Sequence, residues 1–412
     1  MTPRPSPAPV RAFNWIARRL DRTPARGRLD PEALLQTHAP QRERLGLAPA
    51  DADEVVDGFR RLVDSLRDEA RLTPFGRIVA QQNLVRLLTT RSSLAPRLRA
   101  PPSAKSSLAP PLFIVGLPRT GTTLLHGLLA QDPELRAPLT WEVAYPEPAP
   151  TQADRANARD PRRLRARRQL RILDWLRPEF RAIHPMDAIA PQECVAIMAY
   201  RFANHAFHVS YDIPAYQAWL DRRSFLAVYR EHRRFLAHLQ WPEQRGRWLL
   251  KSPLHLRTLD ALVAIYPEAR LVWTHRAPLE VLPSWASLVT SLRSLTSDAV
   301  DPRAIAREFT GRWADALDHA LATGASIGPR QRLDVSYARL VASPLQTVAA
   351  LYRHFDLELT PATLARMRSY LAAHHQRRHG VHRYRLADFG LDPDAVRHRF
   401  AAYHQAHARE LE

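Results

Sequence analysis

Two short stretches carry residues whose types and spacing could act on an anion. The first is GLPRTGTTLL, residues 116–125, lying between an apolar run and a helical pattern. A loop in that position exposes backbone N–H groups at a helix N-terminus, the positive end of the helix dipole. Gly116 and Gly121 allow a tight turn and close approach of an anion. Thr120, Thr122 and Thr123 add hydroxyl donors, and Arg119 adds a planar charged fork. The second stretch is RLVWTHRAPLEVLPSW, residues 270–285, in which Ser284 follows Arg276 by eight positions. An arginine at a strand's carboxyl edge and a serine two turns into the next helix can grip one phosphate together.

The elements that must position these groups are legible from the apolar pattern. PLFIVG (111–116), RWLLK (247–251), RLVWTH (270–275) and RLDVSY (332–337) read as buried strands, each followed by a helical stretch. That alternation predicts an α/β fold, a P-loop-like parallel sheet flanked by helices. Residues 1–105 read as an N-terminal helical region and linker. The spacing of Val55, Val56, Phe59, Leu62, Val63 and Leu66 marks one buried helix face. Residues 106–412 form the nucleotide-binding unit, and 150–240, without a clear strand, an inserted helical layer on the acceptor side. The segment VRAFNWIARRL (10–20) reads as a basic amphipathic helix, with packing on the protein's own body favoured over a membrane surface.

Gly116-x4-Gly121 followed by Thr-Thr has the spacing of a Walker A loop, but Thr122 stands where the lysine belongs. The other strands end in Lys251, His275-Arg276 and Tyr337, with no aspartate to hold magnesium. Two separate anion sites imply a ligand with two separate phosphates. 3′-Phosphoadenosine 5′-phosphosulfate (PAPS) has them; ATP and GTP do not.

With these motifs the chain resembles the PAPS-dependent sulfotransferase superfamily, in particular its bacterial branch with a PRTGTT-type loop. The similarity extends through WLLKSPLHL (248–256), residues 333–359 and HGVHRYRLADFGL (379–391). The resemblance implies transfer of a sulfuryl group from PAPS to a hydroxyl or amine, with PAP as product and no metal. It implies that Arg119 and Lys251 meet the transferring group, that Arg276 and Ser284 hold the 3′-phosphate, and that Tyr337 contacts the adenine. Arg377, Arg378 and Gly380 fall where a basic segment closes over the nucleotide. Pro253 departs from the family's histidine base, so the base is expected at Glu142, with His255 and Glu193 as alternatives. A kinase-like phosphotransferase and a catalytically degenerate PAP-binding protein are the rival functions.

Cys194 is the only cysteine, which excludes intrachain disulfides and thiolate zinc sites. The net charge of +19 comes almost wholly from arginine, Lys105 and Lys251 being the only lysines; this reads as the compositional bias of a GC-rich genome, not a nucleic-acid surface. The histidines at 374, 375, 379 and 382 lack an accompanying acidic set and are not read as a metal site. No apolar run spans a bilayer and the first twenty residues lack a signal-peptide core, so a cytoplasmic protein is expected. The expected partners are a small-molecule or lipid-like acceptor and no nucleic acid, with a homodimer left open.

Overall fold

The computed structural model describes residues 6–20, 29–99, 108–176, 186–240, 246–373 and 386–411. Five strands form one sheet: β1 (Leu112–Gly116), β2 (Leu135–Arg136), β3 (Arg247–Lys251), β4 (Arg270–His275) and β5 (Arg332–Ser336), in the order β2-β3-β1-β4-β5. Every pairing is parallel. The four apolar runs became β1, β3, β4 and β5. The short β2 exists only through pairing of Leu135 with Arg247 and Arg136 with Trp248, which no local pattern encodes.

Both faces of the sheet are covered, as an all-parallel sheet requires. Phe113, Val115, Leu250 and Trp273 point to one side, into a core shared with Phe59, Leu62 and Val63 of the N-terminal helices. Leu112, Ile114, Leu249 and Val272 point to the other, against Leu125, Leu128 and Leu351. Alternation along each strand divides the two sets. The N-terminal helices Pro31–His38, Pro49–Asp68 and Pro74–Arg99 thus share a continuous core with the sheet. A buried ionic chain fixes them: Glu231 accepts from Arg91 and, at 3.1 Å, from Arg201, which also reaches Glu54 at 2.6 Å.

Between 150 and 240 the described residues are helical with no strand, as expected. The main pieces are helices Pro161–Leu176, Pro214–Leu220 and Leu226–Leu239. The basic helix Ala8–Leu20 does pack on the body, through Val10 and Asn14, whose Oδ1 accepts the Phe75 N–H at 2.9 Å. Its larger apolar side chains, Phe13, Trp15, Ile16 and Leu20, face outward.

Register sets the site. Val115 pairs with Trp273 and Gly116 with Thr274, so β1 and β4 end level and their following loops emerge together. Lys251, ending β3, pairs with Ile114 on the other side of β1. Three chemically loaded segments, far apart in sequence, meet at one carboxyl edge.

Candidate active site

The loop after β1 is fixed by its own backbone. Gly116 has φ 143°, and a Cβ there would lie 2.4 Å from Thr274 Oγ1. Gly121, at φ 83°, begins helix Thr122–Leu129; a Cβ there would lie 2.8 Å from a Leu340 methyl and 3.2 Å from the Tyr337 ring. Thr120 is buried and joins Leu117 O and Thr274 Oγ1, each at 2.6 Å, pinning the turn to β4. Gly121, the N-cap, has no side chain to cap the helix start, and the opening N–H groups border the loop's hollow. Arg119 adopts φ 66°, a left-handed conformation costing a non-glycine residue on the order of 1 kcal/mol.

Two tethers offset that cost, and both come from the second motif. Arg276 Nη1 donates to Arg119 O at 2.9 Å, and Arg119 Nε donates to Ser284 Oγ at 3.1 Å. The Arg276 guanidinium also lies 4.1 Å from the centre of the Tyr337 ring and pairs with Glu280 at 2.9 Å. Arg119, Arg276, Ser284, Tyr337 and Gly121 therefore form one contiguous group. Glu280 stands in the first turn of helix Pro278–Arg293, four residues after Arg276, a spacing that puts the pair within reach.

On the other side of the loop, Lys251 Nζ lies 3.5 Å from Thr123 Oγ1 and pairs with Glu193. The Lys251 side chain is 3% exposed and that of Glu193 19%, so the pair is largely screened from water. Among the described residues, the cations Arg119, Lys251 and Arg276 and the carboxylates Glu193 and Glu280 stand around the hollow.

Glu142 and His255 have partners of their own. Glu142 opens the short helix Thr140–Ala144 and is fully buried; Oε1 lies 2.9 Å from Arg155 Nε and 3.5 Å from Arg136 Nη2, while Oε2 accepts the Leu139 N–H at 2.9 Å. Burial pushes the Arg136 guanidinium down to about 9, opposed by Glu142. His255 sits in the core with its ring edge-on to Phe113, and Nδ1 shares a 2.6 Å hydrogen bond with Tyr229 OH. Burial holds its pKa well below the ordinary value, so the ring is neutral. Cys194 is buried and its thiol is pushed up to about 12, which makes it inert. Arg377, Arg378 and Gly380, with His374, His375, His379 and His382, lie outside the described residues.

One further cluster joins residues too far apart in sequence to leave a local signal. His275, ending β4, meets Asp334 of β5 at 2.8 Å through Nε2 and Tyr403 OH at 3.0 Å through Nδ1, and His407 stacks on its ring. Arg332 donates to the same Asp334 oxygen at 2.9 Å. A guanidinium on that oxygen makes the cluster an ionic brace that steadies the strand end carrying Arg276.

A glycine-threonine loop feeding a helix, flanked by two basic strand ends on a parallel sheet, defines a P-loop-like group-transfer enzyme. The sequence model of the Sulfotransferase family matches residues 110–361, and the chain belongs to that family. It is an enzyme that transfers a sulfuryl group to an acceptor, which sets aside the kinase-like alternative. Among curated relatives, an omega-hydroxy-beta-dihydromenaquinone-9 sulfotransferase of Mycobacterium bovis is 27% identical over 291 residues, covering 64% of this chain and 67% of the relative. Among solved structures, sulfotransferase STF9 of Mycobacterium avium superposes with a TM-score of 0.81 at 28% identity, over 92% of this chain and 97% of that one. STF1 of Mycobacterium tuberculosis gives 0.75 at 30% identity, over 86% and 94%.

Proposed function

We propose that the enzyme takes its sulfuryl group from PAPS and delivers it to a hydroxyl of a lipid-like acceptor. The observation that carries the donor assignment is the double tether between the loop and the second motif. Arg276 and Ser284 each hydrogen-bond Arg119, so two anion-binding groups stand side by side, as a nucleotide phosphorylated at both 5′ and 3′ positions demands. The fit rests on the donor set and on the tight turn at Gly121, where a Cβ would run into a Leu340 methyl and the Tyr337 ring. Uncapped N–H groups of Thr122 and Thr123, their hydroxyls and Lys251 face the 5′ end; Arg276, Ser284 and Tyr337 serve the 3′-phosphate and base. Arg377, Arg378 and Gly380 are assigned to cover the nucleotide. For the acceptor class, support comes from the mycobacterial relative, whose name specifies a hydroxylated menaquinone derivative.

Bound there, PAPS supplies a sulfuryl group whose S–O bond to the 5′-phosphate breaks as sulfur bonds the acceptor oxygen, leaving PAP. Arg119 and Lys251 neutralise charge developing on the leaving phosphate, the largest contribution available without a metal. Arg119 stays protonated and acts only through charge and orientation.

For the general base we assign Glu193 over Glu142 and His255. Glu142 is fully buried, with its oxygens committed to two guanidiniums and a backbone N–H. His255 has its contacts in the core. Glu193 stands beside the loop, paired with the lysine that must turn to the donor. When Lys251 turns from that carboxylate to the phosphosulfate, Glu193 accepts the acceptor's hydroxyl proton. Thermal shift separates this donor reading from a metal-nucleotide one: PAP raises Tm and ATP with magnesium does not. Stabilisation by ATP-magnesium and not by PAP would overturn it, and labelled-PAPS transfer across hydroxylated lipids, phenols and glycans then identifies the acceptor class.

A further inference from the structure

Among the described residues, every large apolar side chain left strongly exposed falls in two stretches of chain. One is helix Ala8–Leu20. It buries Val10 and Asn14, while Phe13, Ile16 and Leu20, three and four residues apart, form an outward apolar stripe beside Trp15. The other is helix Pro161–Leu176 and the nearby residues Met186 and Ile189. That helix buries Ala166 on one side; Leu164, Ile172 and Trp175 share the opposite, solvent-facing side with Arg168.

Both helices are strongly cationic where they are apolar. The first carries Arg11, Arg18 and Arg19 and no acid, Arg18 pairing with Asp298; the second carries six arginines against Asp174, of which Arg162 pairs with Asp154 and Asp160. The first leans on the long helix Pro74–Arg99, where Asn14 is bonded at Phe75; the second leans on the helix Thr140–Ala144 and the residue after it, with Arg162 over the Trp141 ring and Arg165 over the Tyr145 ring. A stripe of isoleucine, leucine and tryptophan flanked by guanidiniums suits one environment: the boundary between lipid tails and phosphate headgroups.

We infer that these two basic helices dock the enzyme on an anionic lipid bilayer. Charge complementarity selects this occupant. A second copy of the chain would bring arginine against arginine, and a nucleic-acid backbone offers nothing to Ile16, Leu20, Leu164 or Ile172. No described helix is long and apolar enough to cross a membrane, so the contact is at the surface.

The test is co-sedimentation of the full chain with vesicles of phosphatidylcholine alone or with one-third phosphatidylglycerol, without donor or acceptor. Failure there leaves the transfer reading untouched. The expected result is binding to the anionic vesicles only, weakened by salt. Ile16→Asp with Leu20→Asp, and separately Trp175→Asp, should each lower the bound fraction's partition coefficient about tenfold at unchanged Tm. No binding to anionic vesicles, equal binding to neutral ones, or variants that bind like the parent would overturn the inference. So would a dimer in sedimentation velocity, or duplex DNA binding, abolished by the same substitutions.

Discussion

Replacing Glu193 with glutamine keeps the side chain's shape and lets its amide oxygen still accept from Lys251, while removing the negative charge and the basic site. If Glu193 receives the acceptor's proton, turnover should fall by roughly 10²-fold or more, equivalent to about 2.7 kcal/mol on the barrier. PAP affinity should hold or tighten, because the lysine no longer exchanges a carboxylate for the nucleotide. Glu142→Gln should behave in the opposite way. Its carboxylate is fully buried between Arg155 at 2.9 Å and Arg136 at 3.5 Å. Neutralising it takes the carboxylate charge away from Arg136, whose side chain is 3% exposed, and removing one charge of such a buried pair costs about 3–5 kcal/mol. Tm should drop steeply while turnover per folded molecule stays within a few-fold of the parent. The assay pairs single-turnover rates from labelled PAPS with thermal melts of both variants. Glu193→Gln retaining more than a tenth of the turnover, or Glu142→Gln losing turnover at unchanged Tm, would refute the assignment.

Removing the second anion site should weaken PAP in proportion to the hydrogen bonds lost. Ser284→Ala costs on the order of 1 kcal/mol, about fivefold in Kd, and Arg276→Ala roughly 30-fold or more; calorimetric titration with adenosine 5′-phosphosulfate, which lacks the 3′-phosphate, should show a smaller loss, the part due to the tethers on Arg119. Acid should destabilise the fold before any carboxylate titrates. Burial lowers His126, His205 and His232 to about 3, so the unfolded chain takes up protons below its pKa of ~6.5 that the native state refuses. Stability is therefore full above that pH and falls below it, by about 1.4 kcal/mol per pH unit for each such histidine; a flat Tm between neutral pH and pH ~5 would contradict it.

The loop, the four long strands and the Arg276–Ser284 spacing were legible in the sequence because each is a local matter. Gly116 and Gly121 mark backbone conformations that a side chain cannot share, and a five-residue apolar run closed by glycine has few other solutions in a parallel sheet. The two-residue β2 and the buried pairing of Glu142 left no such trace. They depend on neighbours distant in the chain, and a carboxylate at a helix start looks the same whether it meets water, substrate or two arginines.

What the residues determined by themselves was the kind of anion chemistry and the order of the segments that supply it. Tertiary structure decided which of those segments meet. The level ending of β1 beside β4 lets Arg276 and Ser284 grip the loop at Arg119, and β3 on the opposite flank brings Lys251 and Glu193 to its helix start. The physical reason is reach: a hydrogen bond acts over about 3 Å, whereas 165 residues of chain separate Arg119 from Ser284. Only the parallel sheet's register closes that distance.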